Sequence, residues 1–204
     1  SDMKTREIWE SIRGDFDAIR KRAGTLNPAD MPRLRTCRSV GLPKNPQFLG
    51  TSKKVEASNR IFPSVISKVL YMSPANEAFR DKGKTMCPFA TPECALVCLG
   101  HNSGRQALSD SFNSRLWKTT VYMGARGAYR ELISREIDSM IRRCAGNLDE
   151  NGKPAPLTFA FRHDGASDTA EGKRLARLHP AALFFDYTKS ATRALSNAQG
   201  KHPS

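Results

Sequence analysis

The chain has 204 residues, 39% of them hydrophobic and 26% charged, a mix that builds a globular domain with its own core and excludes a disordered chain. No apolar run approaches the roughly 20 residues of a membrane helix, and the charged N-terminal segment lacks the apolar stretch of a signal peptide, so the expected location is cytoplasmic with no membrane partner. Lysine and arginine total 33 against 20 acidic residues, a net charge of +13 that attracts polyanions and makes nucleic acid or a nucleotide-like ligand the expected partner.

Taken in order, residues 4–23 read as one amphipathic helix, with Ile8, Ile12, Phe16 and Ile19 at helical spacing and Gly24 as its stop. Two placements suit this helix: packed on the main domain, or a mobile basic arm. Residues 25–60 read as irregular, because Pro28, Pro32, Pro43 and Pro46 interrupt any long helix. Cys37 lies there between Arg35 and Arg38, cations expected to lower its thiol pKa; it reads as an isolated thiol, with a reactive cysteine or a fourth ligand as the sharper alternatives. Residues 64–72 read as a β-branched strand ended by Ser73-Pro74, followed by a polar turn from Glu77 to Lys84.

Helices are predicted over 107–123 and about 127–144. The second carries a stripe from Tyr129 to Cys144 at spacings of three and four, which makes Cys144 a buried small hydrophobe. A short strand at 157–162, a basic helix over about 169–178 and a strand at 182–187 complete a strand–helix–strand unit. Past Lys189 the chain reads as polar, with no closing strand. The fold class is therefore α/β with parallel strand–helix units, a partial barrel being one form of it. It divides into an N-terminal helix (3–24), a wrapping segment (25–60) and an α/β domain (61–204).

The densest chemistry lies between Met86 and Arg105. Cys87, Cys94 and Cys98 follow C-x6-C-x3-C spacing, His101 comes three residues after the last thiol, and Pro88 and Pro92 stiffen the first loop. Thiolates this close in a cysteine-poor cytoplasmic chain suit a metal or an iron–sulfur cluster. Three readings stand open. Zinc on Cys87, Cys94, Cys98 and His101 closes a tetrahedron, as in a compressed zinc finger. A [4Fe–4S] cluster on the three cysteines leaves one iron open, as radical S-adenosylmethionine enzymes do on an α/β barrel, although their C-x3-C-x2-C spacing differs. Buried thiols in a turn-rich loop are the third.

Several segments in one order resemble the phage gene product 88 group: KVLYMSPA at 68–75, the cysteine core at 87–99, SGR at 103–105, SRLWKT at 114–119, FRHDGASD at 161–168 and FFDYTK at 184–189. The resemblance covers roughly the last two-thirds of the chain and implies a phage-encoded accessory protein working in the host cytoplasm. It implies three cysteines as the site, with His101 an optional fourth ligand. His163 and Thr169-Ala170 depart from the group's pattern, which has an asparagine-like residue and a tryptophan there, so a pocket contact differs.

Around that core, Arg105, Arg115 and Lys118 are candidates for binding a phosphate or carboxylate. Asp164, Asp168, Asp186 and Lys189, at the carboxyl ends of predicted strands, are the catalytic candidates. Ser167 and Asp168 also suit a helix cap, Lys189 suits neutralising Asp186, and His163 reads as a satisfied polar side chain. The sequence-level conclusion is a three-cysteine iron–sulfur or metal protein with a basic nucleic-acid- or nucleotide-binding surface and room for radical or redox chemistry. The alternatives are a zinc-stabilised nucleic-acid-binding protein without catalysis and a phage inhibitor of a host protein.

Overall fold

The structure is a computed structural model describing residues 2–75, 77–81 and 83–199. In chain order its helices are α1 (Met3–Gly14), α2 (Phe16–Ala23), α3 (Lys53–Ile61), α4 (Pro92–Leu96), α5 (Leu99–Asn102), α6 (Ser109–Gly124), α7 (Arg126–Ala145), α8 (Glu171–Leu178) and α9 (Ala191–Ala198). Its strands are β1 (Val65–Val69), β2 (Thr158–Arg162) and β3 (Leu183–Phe184). This is an α/β fold, and the chain folds into two compact units.

The first unit comprises Ser1–Pro46, Tyr71–Leu132 and Ala166–Thr169. The single helix expected over 4–23 is two, because Asp15 leaves the helical region (φ −111°, ψ 13°). Asp2 caps the first by accepting from Thr5 N at 2.8 Å, and Gly24 ends the second at φ +71°, where a side chain is disfavoured. Ile12, Ile19 and Ala23 are buried, and Trp9 meets Trp117 of α6 edge-on, ring centroids 6.0 Å apart. The N-terminal segment is thus part of the unit's core and not a mobile arm. Helix α2 approaches α6 so closely that a Cβ on Gly124 would stand 2.2 Å from the Ile19 carbonyl oxygen. Glycine is the residue that contact admits.

The second unit comprises Gln47–Leu70, Ile133–Gly165 and Ala170–Ser204. Its parallel sheet has the order β1-β2-β3, with Val65 opposite Thr158, Val69 opposite Arg162 and Phe161 opposite Phe184. Phe159 and Phe161 bury the middle of β2 beside Phe184. Helix α8 supplies the crossover from β2 to β3, as parallel pairing requires. The strands are shorter than the sequence pattern suggested, 65–69 against 64–72 and 183–184 against 182–187.

Four helices were missed in the sequence, the short α4 and α5 of the cysteine loop and two others. Helix α3 lies inside the stretch read as irregular; Ser52 starts it by accepting from Val55 N, and the prolines all lie before it. Helix α9 lies in the polar tail, where Ser190 Oγ accepts from Arg193 N at 3.3 Å. The rest of that tail, 200–204, lies outside the described residues. Helix α7 crosses the boundary between the units. Tyr129 and Leu132 are buried in its first part and Ile133, Ile137 and Cys144 in its second, as the stripe predicted. Among the described residues no helix is long and apolar enough to cross a membrane.

Candidate functional site

The cysteine segment starts from a turn in the first unit. Met72 and Ser73 are buried there, and Ser73 N donates to Thr119 Oγ1 of α6 at 2.9 Å. The next residue but one, Ala75, holds φ +41°, a left-handed conformation that costs a non-glycine residue about 1–2 kcal/mol. That turn aims the Ala75 carbonyl at the incoming loop. The carbonyl accepts from Thr85 Oγ1 at 2.6 Å and Met86 N at 3.3 Å, and Thr85 Oγ1 in turn accepts from Cys87 N at 3.0 Å.

Cys87 is consequently buried, with its thiol directed at the Ala166 carbonyl 3.7 Å away. The same short stretch, Ala166–Thr169, also receives Met86, whose carbonyl accepts from Asp168 N at 2.9 Å. Past Cys87 the chain opens outward. Cys94 sits on α4, whose cap is Thr91, and Cys98 immediately precedes α5. Both thiols are half-buried and free. Gly100 lets α5 settle on the same anchor: a Cβ there would stand 3.0 Å from the Ala166 Cβ and 3.5 Å from the Pro74 ring. Leu96, Val97 and Leu99 remain largely exposed, so α4 and α5 have little apolar packing of their own.

Beneath α5 lies a buried ion pair. Arg115 of α6 is 1% exposed, and its guanidinium meets Glu77 side by side, Nε to Oε2 at 2.9 Å and Nη2 to Oε1 at 2.6 Å. Its Nη1 donates to the Gln106 carbonyl at 3.0 Å and to Gln106 Oε1 at 2.7 Å. Glu77 also carries His101, whose Nδ1 is 2.8 Å from Oε1 while the ring stays 39% exposed. Since a carboxylate only accepts, Nδ1 carries the hydrogen of this bond.

In the second unit the carboxyl ends of β2 and β3 bring Arg162, His163, Asp164 and Asp186 together. Asp186 Oδ2 accepts from Asp164 N at 2.8 Å, and its Oδ1 accepts from Tyr187 N at 2.9 Å and Arg162 Nε at 3.3 Å. His163, fully buried, has Nδ1 3.3 Å from Asp164 Oδ2. Burial and then the neighbouring Asp164 charge push the Asp186 carboxyl up to about 6. The side chain is still 28% exposed, so water screens part of that push. Arg162 also stacks over Tyr187, 4.6 Å from its ring centre.

A family model for gene product 88 matches residues 44–204. The chain belongs to the phage gene product 88 family. No curated protein and no solved structure matches it.

The gene product 88 segments noted in the sequence pair with one another inside each unit. In the first unit MSPA holds the start of the cysteine core, SRLWKT reaches MSPA through Thr119 and the nearby Glu77 through Arg115, and the end of FRHDGASD clasps Met86 and Cys87. In the second unit FRHD meets FFDYTK through Arg162, Asp164 and Asp186.

The candidate residues themselves separate. Arg115 is committed to Glu77. Lys118 is buried with its ammonium 5.5 Å from the Trp117 ring centre, and Arg105 is exposed in the turn before α6. Asp164 and Asp186 come together, whereas Asp168 is buried in the first unit. Asp168 is not the expected helix cap, because α8 starts at Glu171 behind Ala170. Lys189 lies exposed after β3, and Arg162 is a cation beside Asp186. Cys37 departs from expectation: burial and its hydrogen bond to Asp110, 2.8 Å away, push the thiol pKa up, the reverse of the lowering expected from the flanking arginines. Sequence reading passed over Glu77, a lone acid in a polar turn, because its importance lies in a partner 38 residues away.

Donor chemistry at Cys87, Cys94, Cys98 and His101 suits zinc or an iron–sulfur cluster. Among the described residues, however, no three His, Cys, Asp or Glu side chains lie close enough together to hold a metal ion. The four donors therefore do not form a metal-holding group in this structure.

Proposed function

We propose that this gene product 88 protein carries a thiolate metal centre, an iron–sulfur cluster or zinc, on Cys87, Cys94 and Cys98, and that its basic surface engages nucleic acid or a nucleotide. The observation carrying the reading is the state of Cys94 and Cys98: two free, half-exposed thiols, one on α4 and one just before α5, four residues apart, the first of them seven beyond a third thiol. Cysteines kept for packing are buried, as Cys144 is. A loop with little apolar packing gains order when metal links its ligands, as in other small metal-coupled folds.

The centre supplies a tight crosslink when zinc occupies it, and electron transfer or radical initiation when a cluster does. The chain's part would be to hold Cys87 against Ala166 and to supply Cys94 and Cys98 from the outward loop beyond it, with the Arg115–Glu77 pair beneath α5. Anaerobic purification followed by iron, sulfide and zinc analysis tests the reading. Near-stoichiometric metal that Cys94→Ser and Cys98→Ser each remove supports it; metal-free protein in both oxygen-free and zinc-supplemented preparations refutes it. Gel shifts over a salt series test the second half: binding that weakens steeply with salt is expected, and salt-independent or absent binding counts against it.

A further inference from the structure

In the second unit, the last strand of the sheet carries apolar side chains outward. Along 182–187 burial alternates. Ala182 is buried and Phe184 packs edge-on against Phe161, ring centroids 5.8 Å apart, while Leu183, Phe185 and Tyr187 are 58%, 45% and 73% exposed. Phe185 N donates to the Phe161 carbonyl at 3.2 Å, so pairing with β2 continues past β3 and keeps that alternation. A row of large exposed apolar groups, unlike scattered single ones, marks an interaction surface.

Tyr187 is the most exposed of the three, yet it is held. Asp186 Oδ1 accepts from Tyr187 N at 2.9 Å and from Arg162 Nε at 3.3 Å, so one carboxylate oxygen fixes both the backbone that bears the ring and the guanidinium against it. The central carbon of that guanidinium is 4.6 Å from the ring centre. Asp186 is in turn tied to the end of β2, where Asp164 N donates to Oδ2 at 2.8 Å. With one face on Arg162, a ring 73% exposed turns its other face to solvent. A planar ligand stacking there orders little that is not already ordered.

Position and charge select the ligand. In open parallel sheets ligands sit beyond the carboxyl ends of the strands, and Arg162 ends β2 while Tyr187 follows β3. The net charge is +13, and Lys189 and Arg193 come in the stretch just after Tyr187. Planar groups joined by anions answer both features. Phe185 and Tyr187, alternate residues about 7 Å apart along an extended chain, offer a row and not a single slot, which suits successive bases of a strand. Bases in a duplex are already stacked on one another, so the strand that fits is single.

We propose that Phe185 and Tyr187 form a stacking platform for unpaired bases of single-stranded nucleic acid, with Tyr187 as the main contact and Arg162 and Asp186 as the residues that position it. This rests on the nucleic-acid half of the reading above and gives it a place and a strand state.

The test uses the full chain and an oligothymidylate of about 12 nucleotides carrying a fluorescent label and one iododeoxyuridine. Fluorescence anisotropy over a salt series reads affinity, and irradiation followed by peptide mass spectrometry reads which side chain lies against the base. Wild type is expected to bind and to crosslink through Tyr187 or Phe185. Tyr187→Ala is expected to bind about 5- to 100-fold more weakly with an unchanged salt slope, because stacking releases no counterions. Tyr187→Phe is expected to keep the affinity. Phe185→Ala, expected to weaken binding in the same direction, decides the matter if Tyr187→Ala does not fold. Wild-type affinity in Tyr187→Ala, or crosslinks at other residues only, overturns the platform and leaves the basic-surface reading standing. Thymidine monophosphate binding as tightly as the strand, or tighter, overturns the single-strand occupant. Wild type that binds neither strand nor mononucleotide at low salt overturns both the platform and the basic-surface reading.

Discussion

Arg115 and Glu77 face each other as a bidentate ion pair within the first unit, 2.6 and 2.9 Å apart and 1% and 3% exposed. Charges taken this far from water are tolerable only as a pair, and removing one strands the other. Arg115→Ala is therefore expected to destabilise the protein by about 3–5 kcal/mol. Arg115→Lys is expected to recover only part of that, because an ammonium lacks the planar fork that meets both carboxylate oxygens. Chemical denaturation of the three proteins measures it. Near-wild-type stability of Arg115→Ala would show that the pair is not the support of the cysteine segment.

The close approach of α2 and α6 gives a second expectation. Gly124→Ala places a methyl carbon against the Ile19 carbonyl, where 2.2 Å is available. The helices must separate or the α6 terminus must unwind, at a cost of about 1–3 kcal/mol typical of overpacking. Gly14→Ala, with open space around its Cβ position, is the control and is expected to be neutral or slightly stabilising. Equal melting behaviour of the two variants would contradict the packing described.

Asp186 makes the second unit's stability depend on pH. Its carboxyl titrates near 6 in the folded chain against an ordinary 3.8, so between those values the folded state binds a proton that the unfolded state does not. Its contribution therefore favours folding below the ordinary value and is lost as pH rises through about 6. Asp186→Asn is expected to flatten the decline of stability across that window. The readout is the denaturation midpoint at a series of pH values for wild type and variant. Parallel curves would place the dependence elsewhere.

Much of the fold was legible where hydrophobic period is strong. The α7 stripe and the apolar β2 segment appear close to their predicted places, and the α/β class follows from them. Helices α3 and α9 were not legible, since each is short and largely polar and is started by a serine whose capping role shows only once the helix exists. The break at Asp15 follows Gly14, two residues of low helix propensity in a row.

At the site, spacing singled out Cys87, Cys94 and Cys98, and charge singled out Arg115. Spacing carries no information on Glu77, nor on the separation of Asp168 from Asp164 and Asp186 between two units. Those facts follow from long-range packing. Asp168 sits four residues from Asp164 in sequence, yet its backbone joins Met86 in the first unit.

The central claim, a metal centre on the cysteine segment, is tested most directly by native mass spectrometry of the full chain purified without oxygen. The account predicts a mass above the apo-protein by one zinc or one iron–sulfur cluster, reduced to the apo mass in the Cys87→Ser/Cys94→Ser/Cys98→Ser variant. An apo mass in the wild-type protein, after both zinc supplementation and anaerobic cluster reconstitution, would contradict it.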